Sequence, residues 1–178
     1  MAAELGPEYR VVEEAQNGRT TVLDDPYELV CKNGKKALPT ALESHAPIDL
    51  VVIMLGTNDL KHYFDRAPQD VAERVATLAK IVQSSTAGLN HEAPEVLLVS
   101  PPKIADAPCP FGPKLDGAAE KSPLLPAEYS RIANELGVPF FDAATVAQCP
   151  ETDCIHIDET GHQALGLALA QQVSSLLS

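Results

Sequence analysis

The stretch Leu50-Val51-Val52-Ile53-Met54-Leu55-Gly56-Thr57-Asn58-Asp59 governs the architecture expected of this chain. Its apolar run is continuous rather than alternating, which suits a strand covered on both faces, as in a parallel sheet. A strand is expected from Asp49 to Leu55, with Gly56 permitting a sharp turn at its carboxyl end. Outward from it, Glu95 to Ser100 holds a second continuous run, Val96-Leu97-Leu98-Val99. Tyr9 to Glu13 and Val138 to Phe141 are shorter strand candidates.

Three helices fall between or after these strands. Pro68 to Gln83 places Val71, Val75, Leu78 and Val82 on one face, with Pro68 in the first turn. Pro126 to Leu136 groups Tyr129, Ile132 and Leu136 and stops at Gly137. The last helix starts near Asp158, a good N-cap, and turns Leu165, Leu169, Val173 and Leu176 inward. Strands alternating with helices at this spacing give an α/β domain with right-handed parallel connections.

The chain has 178 residues, one domain (1–178) on a scale of roughly 100–200 residues per domain, with no repeat or linker. An apolar content of 45% supports a core and excludes wholesale disorder. A net charge of -12 repels phosphate backbones, so no nucleic-acid partner is expected. No uninterrupted apolar run is long enough to span a membrane. Four cysteines, without C-x-x-C spacing, are too few for a disulfide scaffold and suggest no zinc site. Met1-Ala2-Ala3-Glu4-Leu5 lacks the basic and apolar regions of a signal peptide. With Met1 as the start, the expectation is a cytoplasmic protein with reduced thiols.

Two long loops are expected. One runs from Asp24 to Pro47 and contains the basic turn Lys32-Asn33-Gly34-Lys35-Lys36. The other runs from Pro101 to Pro123, without a helical pattern, from the carboxyl end of a buried strand. Open α/β sheets bind their ligands on that side, so this loop is read as a cleft wall, against a plain surface connection.

Three short segments carry candidate chemistry. Gly56-Thr57-Asn58-Asp59 can aim the Asn58 amide over the sheet edge, where it would donate to an oxyanion on an acyl group. Taken alone it also reads as a plain turn. In Asp153-Cys154-Ile155-His156 a carboxylate three residues before an imidazole can receive Nδ1–H and leave Nε2 as a general base. The alternative is Asp153 capping a turn beside an idle histidine. Asn17-Gly18-Arg19-Thr20 can bring the Gly18 N–H close to a ligand, or be a simple strand-to-loop turn.

Together these segments, each at the carboxyl end of a strand or in a loop on that side, resemble the SGNH (GDSL-type) hydrolase superfamily, close to its arylesterase and acyltransferase branch. The resemblance covers essentially the whole chain. Glu13-Glu14 through Arg19-Thr20-Thr21 and Asp24-Asp25-Pro26 is similar to the second family block, Val51 to Asp59 to the third, and Asp153 to His156 to the fifth. It implies a flavodoxin-like three-layer α/β/α fold. It also implies His156 as base, Asp153 as its orienting acid, and the Gly18 N–H and Asn58 amide as oxyanion donors, with no metal or organic cofactor. His162 is expected to be structural, on the Leu165/Leu169 side of the last helix. His45, His62 and His91, with no carboxylate at a useful spacing, are expected to face solvent.

The chain departs from the family at its start. The first block, Gly-Asp-Ser-Leu or similar, supplies the nucleophilic serine and has no counterpart here. Met1 to Gly6 resembles the end of the first family helix, so the first strand, the serine loop and most of that helix are expected to be missing, about 25–35 residues. None of the nine serines is an obvious substitute. Ser100 ends a strand on the correct side but precedes Pro101-Pro102, and the others look like helix-surface or loop residues. Cys154, two residues before the base, is expected to point away from it.

The leading expectation is thus a carboxylester hydrolase for small acyl esters, using a Ser-His-Asp mechanism whose serine is not in this chain. The alternative is an inactive relic that binds an acyl or ester ligand or a protein partner. A phosphate or nucleotide binder of similar topology needs a Gly-rich loop, and neither G-x-G-x-x-G nor G-x-x-x-x-G-K-[ST] occurs. Without the first family strand, Tyr9 to Glu13 is expected to pair directly with Asp49 to Leu55. The other outcomes are that another molecule fills the exposed edge, giving a homo-oligomer, or that the segment before Asp49 is disordered.

Overall fold

A computed structural model describes residues 1–108 and 110–178. In chain order its elements are α1 (Ala2–Leu5), α2 (Gly34–His45), β1 (Leu50–Ile53), α3 (Pro68–Gln83), β2 (Glu95–Ser100), α4 (Ala118–Lys121), α5 (Leu125–Leu136), β3 (Phe140–Asp142) and α6 (Glu159–Leu176), with short 3₁₀ turns between them. The strands form a parallel sheet in the order β1-β2-β3, with Val51 opposite Val96 and Leu98 opposite Phe140.

Why β2 is apolar throughout is visible in its packing. Val96 and Leu98 enter a cluster with Val71, Val75, Leu78 and Val82 of α3 and Leu125, Tyr129 and Ile132 of α5. Leu97 and Val99 point the other way, toward Leu165 of α6. Each layer buries what the strand presents to it, and the result is the expected α/β/α sandwich. Arg131 on α5 braces the first layer by pairing with Glu73 of α3, and also with Glu128 and Glu135 on its own helix.

Helix ends follow local chemistry. Pro68 occupies the first turn of α3, and the Asp158 side chain accepts from Gly161 N at the start of α6. Gly137 closes α5 in the left-handed conformation. No helix among the described residues is long and apolar enough to cross a membrane.

Several expectations need correction. Tyr9 to Glu13 is not a strand and does not pair with β1, which among the described residues bonds only to β2. Its side chains nevertheless alternate as those of a strand would. Tyr9 and Val11 pack against Leu5, Ala170 and Val173, while Arg10 and Val12 are exposed, so the side chains alternate without a ladder. The Asp24 to Pro47 region holds a 12-residue helix, α2, despite its basic start and Pro39. Its nucleus is Asn33, whose side chain accepts from Lys35 N, and its inward anchor is Leu42. Pro101 to Pro123 is less irregular than expected, with a 3₁₀ turn at Gly112–Leu115 and the short α4; Cys109, within it, lies outside the described residues. Cys154 is disulfide-bonded, against the expectation of reduced thiols, whereas Cys31 and Cys149 are free.

Candidate active site

The turn after β1 is built around a glycine that nothing else can replace without movement. Gly56 has φ +123, and a Cβ there would lie 2.2 Å from Tyr129 Oη and 3.0 Å from Val71 Cγ1. Tyr129, fully buried on α5, donates to the Leu55 carbonyl at 2.6 Å. The helix layer thus grips the end of β1 and releases the chain into the 3₁₀ turn Thr57–Leu60, which carries Asn58.

That turn is stitched to the segment after Gln16. Asn58 Nδ2 donates to the Arg19 carbonyl at 3.2 Å, which uses one of its two N–H donors. The fully buried Asp59 carboxylate receives Thr21 N at 2.9 Å and the Thr21 hydroxyl. Burial raises the Asp59 carboxyl above its ordinary value, against the lowering effect of these two bonds. Gly18 has φ +76, and its N–H donates to no acceptor among the described residues. Gly18 and Asn58, the two residues expected as oxyanion donors, therefore sit on segments bonded to each other.

A third stitch lies beside the first two. Lys61 Nζ is 2.7 Å from Asp25 Oδ2, with both side chains largely out of solvent, and Tyr63 Oη donates to the same oxygen at 2.8 Å. Burial pushes the Asp25 carboxyl up, but Lys61, Tyr27 N–H and Tyr63 outweigh it and hold it below the ordinary range. Tyr63 in turn meets Tyr27 edge-on. Sequence reasoning did not assign roles to Thr21, Asp59, Lys61 or Tyr63; their spacing in the chain gives no hint of pairing.

After β3 the chain reaches the turn that holds the histidine. His156 Nδ1 lies 2.9 Å from Asp153 Oδ1 and 3.1 Å from Oδ2. Asp153 Oδ1 also accepts His156 N at 2.6 Å and Ile155 N at 3.2 Å, so one carboxylate shapes the turn and orients the ring. Burial raises the Asp153 carboxyl, but the imidazole and the two N–H donors outweigh it and hold it below the ordinary carboxylate value. The spacing expected of a base and its acid is realised as a contact.

The long loop reaches both regions. Ala105 N donates to the Cys154 carbonyl at 2.9 Å, next to His156, and the Phe111 ring meets the His156 ring edge-on with centroids 5.4 Å apart. At its other flank the Gly112–Leu115 turn packs on the His62–Phe64 turn that follows Asn58. A cavity of about 420 Å³ lies within the loop, lined by Ile104, Pro113, Leu115 and Gly117 among others, rather than at Asn58 or His156.

The remaining candidates are placed as follows. Ser100 is fully buried and donates to Asp142 Oδ1 at 3.0 Å. Ser122, expected on a surface, is buried and accepts from Ile104 N. Burial pushes the Cys149 thiol up to about 11, with Asp153 adding to the shift, which leaves it without thiolate character. His45, expected in solvent, lies 2.7 Å from Glu14. His162, expected toward Leu165 and Leu169, is exposed. Among the described residues no cluster of His, Cys, Asp and Glu could hold a metal.

The model of the GDSL-like lipase/acylhydrolase family matches residues 1–164, and the chain belongs to that family. Solved relatives extend the match to structure. The native aryl esterase of M. smegmatis is 44% identical over 98% of this chain and 82% of its own, with a TM-score of 0.93. Est24, a carbohydrate acetylesterase from Sinorhizobium meliloti, is 41% identical with the same coverage and TM-score. A further carbohydrate acetylesterase family member from Sinorhizobium meliloti is 34% identical over 98% of this chain and 83% of its own, at TM-score 0.92. No curated protein matches the chain.

Proposed function

We propose that Asp153, His156, Gly18 and Asn58 form the acid–base and oxyanion parts of an esterase site for small acyl esters. The observation that carries this reading is the Asp153–His156 contact. A carboxylate on Nδ1 selects the tautomer that leaves Nε2 free to take a proton, and stabilises the imidazolium that results. The Gly18 N–H, without an acceptor among the described residues, and the second N–H of Asn58 are available to a developing oxyanion. In the family mechanism a serine hydroxyl attacks the ester carbonyl and gives its proton to His156. The resulting acyl-enzyme then passes its acyl group to water or an alcohol. None of the serines in this sequence is assigned that role. The family membership and the aryl esterase and carbohydrate acetylesterase relatives support acyl esters as the substrate class.

The test is p-nitrophenyl acetate turnover by the 178-residue chain beside its Asn58→Ala and His156→Ala variants, with a fluorophosphonate probe in parallel. Residual catalysis on the order of 10³ over water is expected without an activated serine, together with no fluorophosphonate adduct. Asn58→Ala should reduce it roughly 10²-fold. Turnover equal in all three proteins, or none above buffer, overturns the reading and leaves the inactive, ligand-binding alternative. An adduct on any serine identifies a nucleophile in this chain and refutes its assigned absence.

A further inference from the structure

We propose that the disulfide at Cys154 positions the Asp153–His156 pair, by holding Cys154 in a left-handed conformation that closes the turn between them. The pair then assembles in the oxidised chain and opens when that bond is reduced. This rests on the esterase reading above and adds to it a positioning residue and a chemical condition.

The inference starts from how the turn closes. Asp153 Oδ1 accepts Ile155 N at 3.2 Å and His156 N at 2.6 Å, so the loop that it closes encloses Cys154 and Ile155. The backbone of Cys154 therefore governs whether the carboxylate reaches the imidazole. Its φ is +68, a region that glycine enters freely and a residue with a Cβ avoids. Such a conformation persists only where the surroundings impose it.

Three tethers converge on Cys154. Its N–H donates to the Pro150 carbonyl at 2.8 Å, its carbonyl accepts Ala105 N at 2.9 Å, and its sulfur is disulfide-bonded. The side chain is fully buried, in the cluster that also holds Ile104, Leu115 and Ala118 of the long loop, while His156 on the same turn is exposed. The covalent tether thus runs into the core beneath an open histidine. The two hydrogen bonds are neutral, and each can be exchanged for one to water as the turn opens. A disulfide has no such exchange and yields only to a reductant. In that step the S–S bond breaks and its two sulfurs take up two electrons and two protons. A dithiol such as dithiothreitol supplies them and leaves as its own cyclic disulfide.

The experiment compares the native chain with Cys154→Ala and Cys154→Gly, both of which remove the disulfide. Only alanine keeps the Cβ that resists the left-handed conformation. Exchange of the His156 backbone N–H and acid titration of the Asp153 carboxyl are followed by NMR in all three. In Cys154→Ala the exchange is expected to accelerate roughly 5–30-fold, the equilibrium ratio between right- and left-handed backbone for a residue with a Cβ. The Asp153 carboxyl, held low by His156 and the two N–H donors, should rise toward 3.8. Cys154→Gly should exchange within about twofold of the native chain and keep that carboxyl low. The native chain reduced with dithiothreitol, its freed Cys154 thiol confirmed by alkylation, should follow Cys154→Ala and recover on reoxidation. Equal acceleration in the alanine and glycine variants would make the disulfide a general brace and overturn the proposal. So would native exchange in Cys154→Ala, or a reduced chain that keeps the native values. Failure of the esterase reading shows separately, as absent p-nitrophenyl acetate turnover with the contrast between alanine and glycine intact.

Discussion

Replacing Gly56 by alanine is the most direct probe of how the helix layer shapes the turn that carries Asn58. The new Cβ would sit 2.2 Å from the Tyr129 hydroxyl, which is itself fixed by its 2.6 Å bond to the Leu55 carbonyl. Backbone at φ +123 adds strain of about 1–3 kcal/mol for a residue with a Cβ. Overpacking against Tyr129 and Val71 adds about 1–3 kcal/mol more. A loss of about 4 kcal/mol is expected, or roughly 8–16 °C in Tm for a domain of this size. Tyr129→Phe alone leaves the Leu55 carbonyl short of a donor and should cost about 1–3 kcal/mol. In the double variant the hydroxyl that collides with Cβ is gone, so the two losses should fall short of their sum by about 1 kcal/mol or more. Urea unfolding of the four proteins gives the cycle. If Gly56→Ala stays within about 1 kcal/mol of the native chain, or the two losses simply add, the account of this turn is wrong.

Lys61→Ala strips the Asp25 carboxylate of its cation in a buried setting and should lower stability by about 3–5 kcal/mol, measured by urea unfolding. Because burial raises the Asp59 carboxyl above 3.8, its contribution is present at low pH and is lost as pH rises through the folded value. Asp59→Asn should flatten that part of the stability–pH curve. Asp153 has the opposite sign, since its carboxyl is held below 3.8. Its contribution is present above that value and lost as pH falls through the folded one, and Asp153→Asn should remove this acid-side loss in acid titrations followed by circular dichroism. Among the described residues the edge of β1 away from β2 has no partner strand, so sedimentation velocity is expected to show self-association that rises with concentration and weakens in Met54→Lys.

The sheet and its main helices were legible because each carries its own local pattern. The continuous apolar runs of β1 and β2, the i, i+3, i+4 stripe of α3 and the Asp158 cap of α6 all appear where local chemistry places them. What failed was decided at long range. Tyr9 to Glu13 reads as a short strand, and its side chains do alternate in the structure. Strand status, however, depends on a neighbour's backbone, which no local pattern specifies. The α2 segment begins with glycine, sets two lysines at the positive end of the helix dipole and contains Pro39, all poor signals for a helix starting there. It is helical because Asn33 caps it and because Thr20 and Thr21 carbonyls take the Gly34 and Lys35 N–H groups, a contact between loops.

The site divides along the same line. Asp153 and His156 are three residues apart, so a turn brings them together and the spacing announces the pair. Gly18 and Asn58 are joined instead through Asn58 to Arg19, Thr21 to Asp59, and Asp25 to Lys61, each spanning more than thirty residues of chain. Only a family resemblance, not spacing, could nominate them together. The three stitches are also unequal in kind. Two centre on buried carboxylates, and removing a partner from a buried charge costs far more than removing it from an exposed one. The Asn58 amide bond, by contrast, is a neutral contact at 3.2 Å. The two donor segments are therefore held together by Asp25 and Asp59, while Asn58 itself is held lightly. In the esterase site proposed above, that arrangement would give its amide the freedom to tighten onto a developing oxyanion without pulling the segments apart.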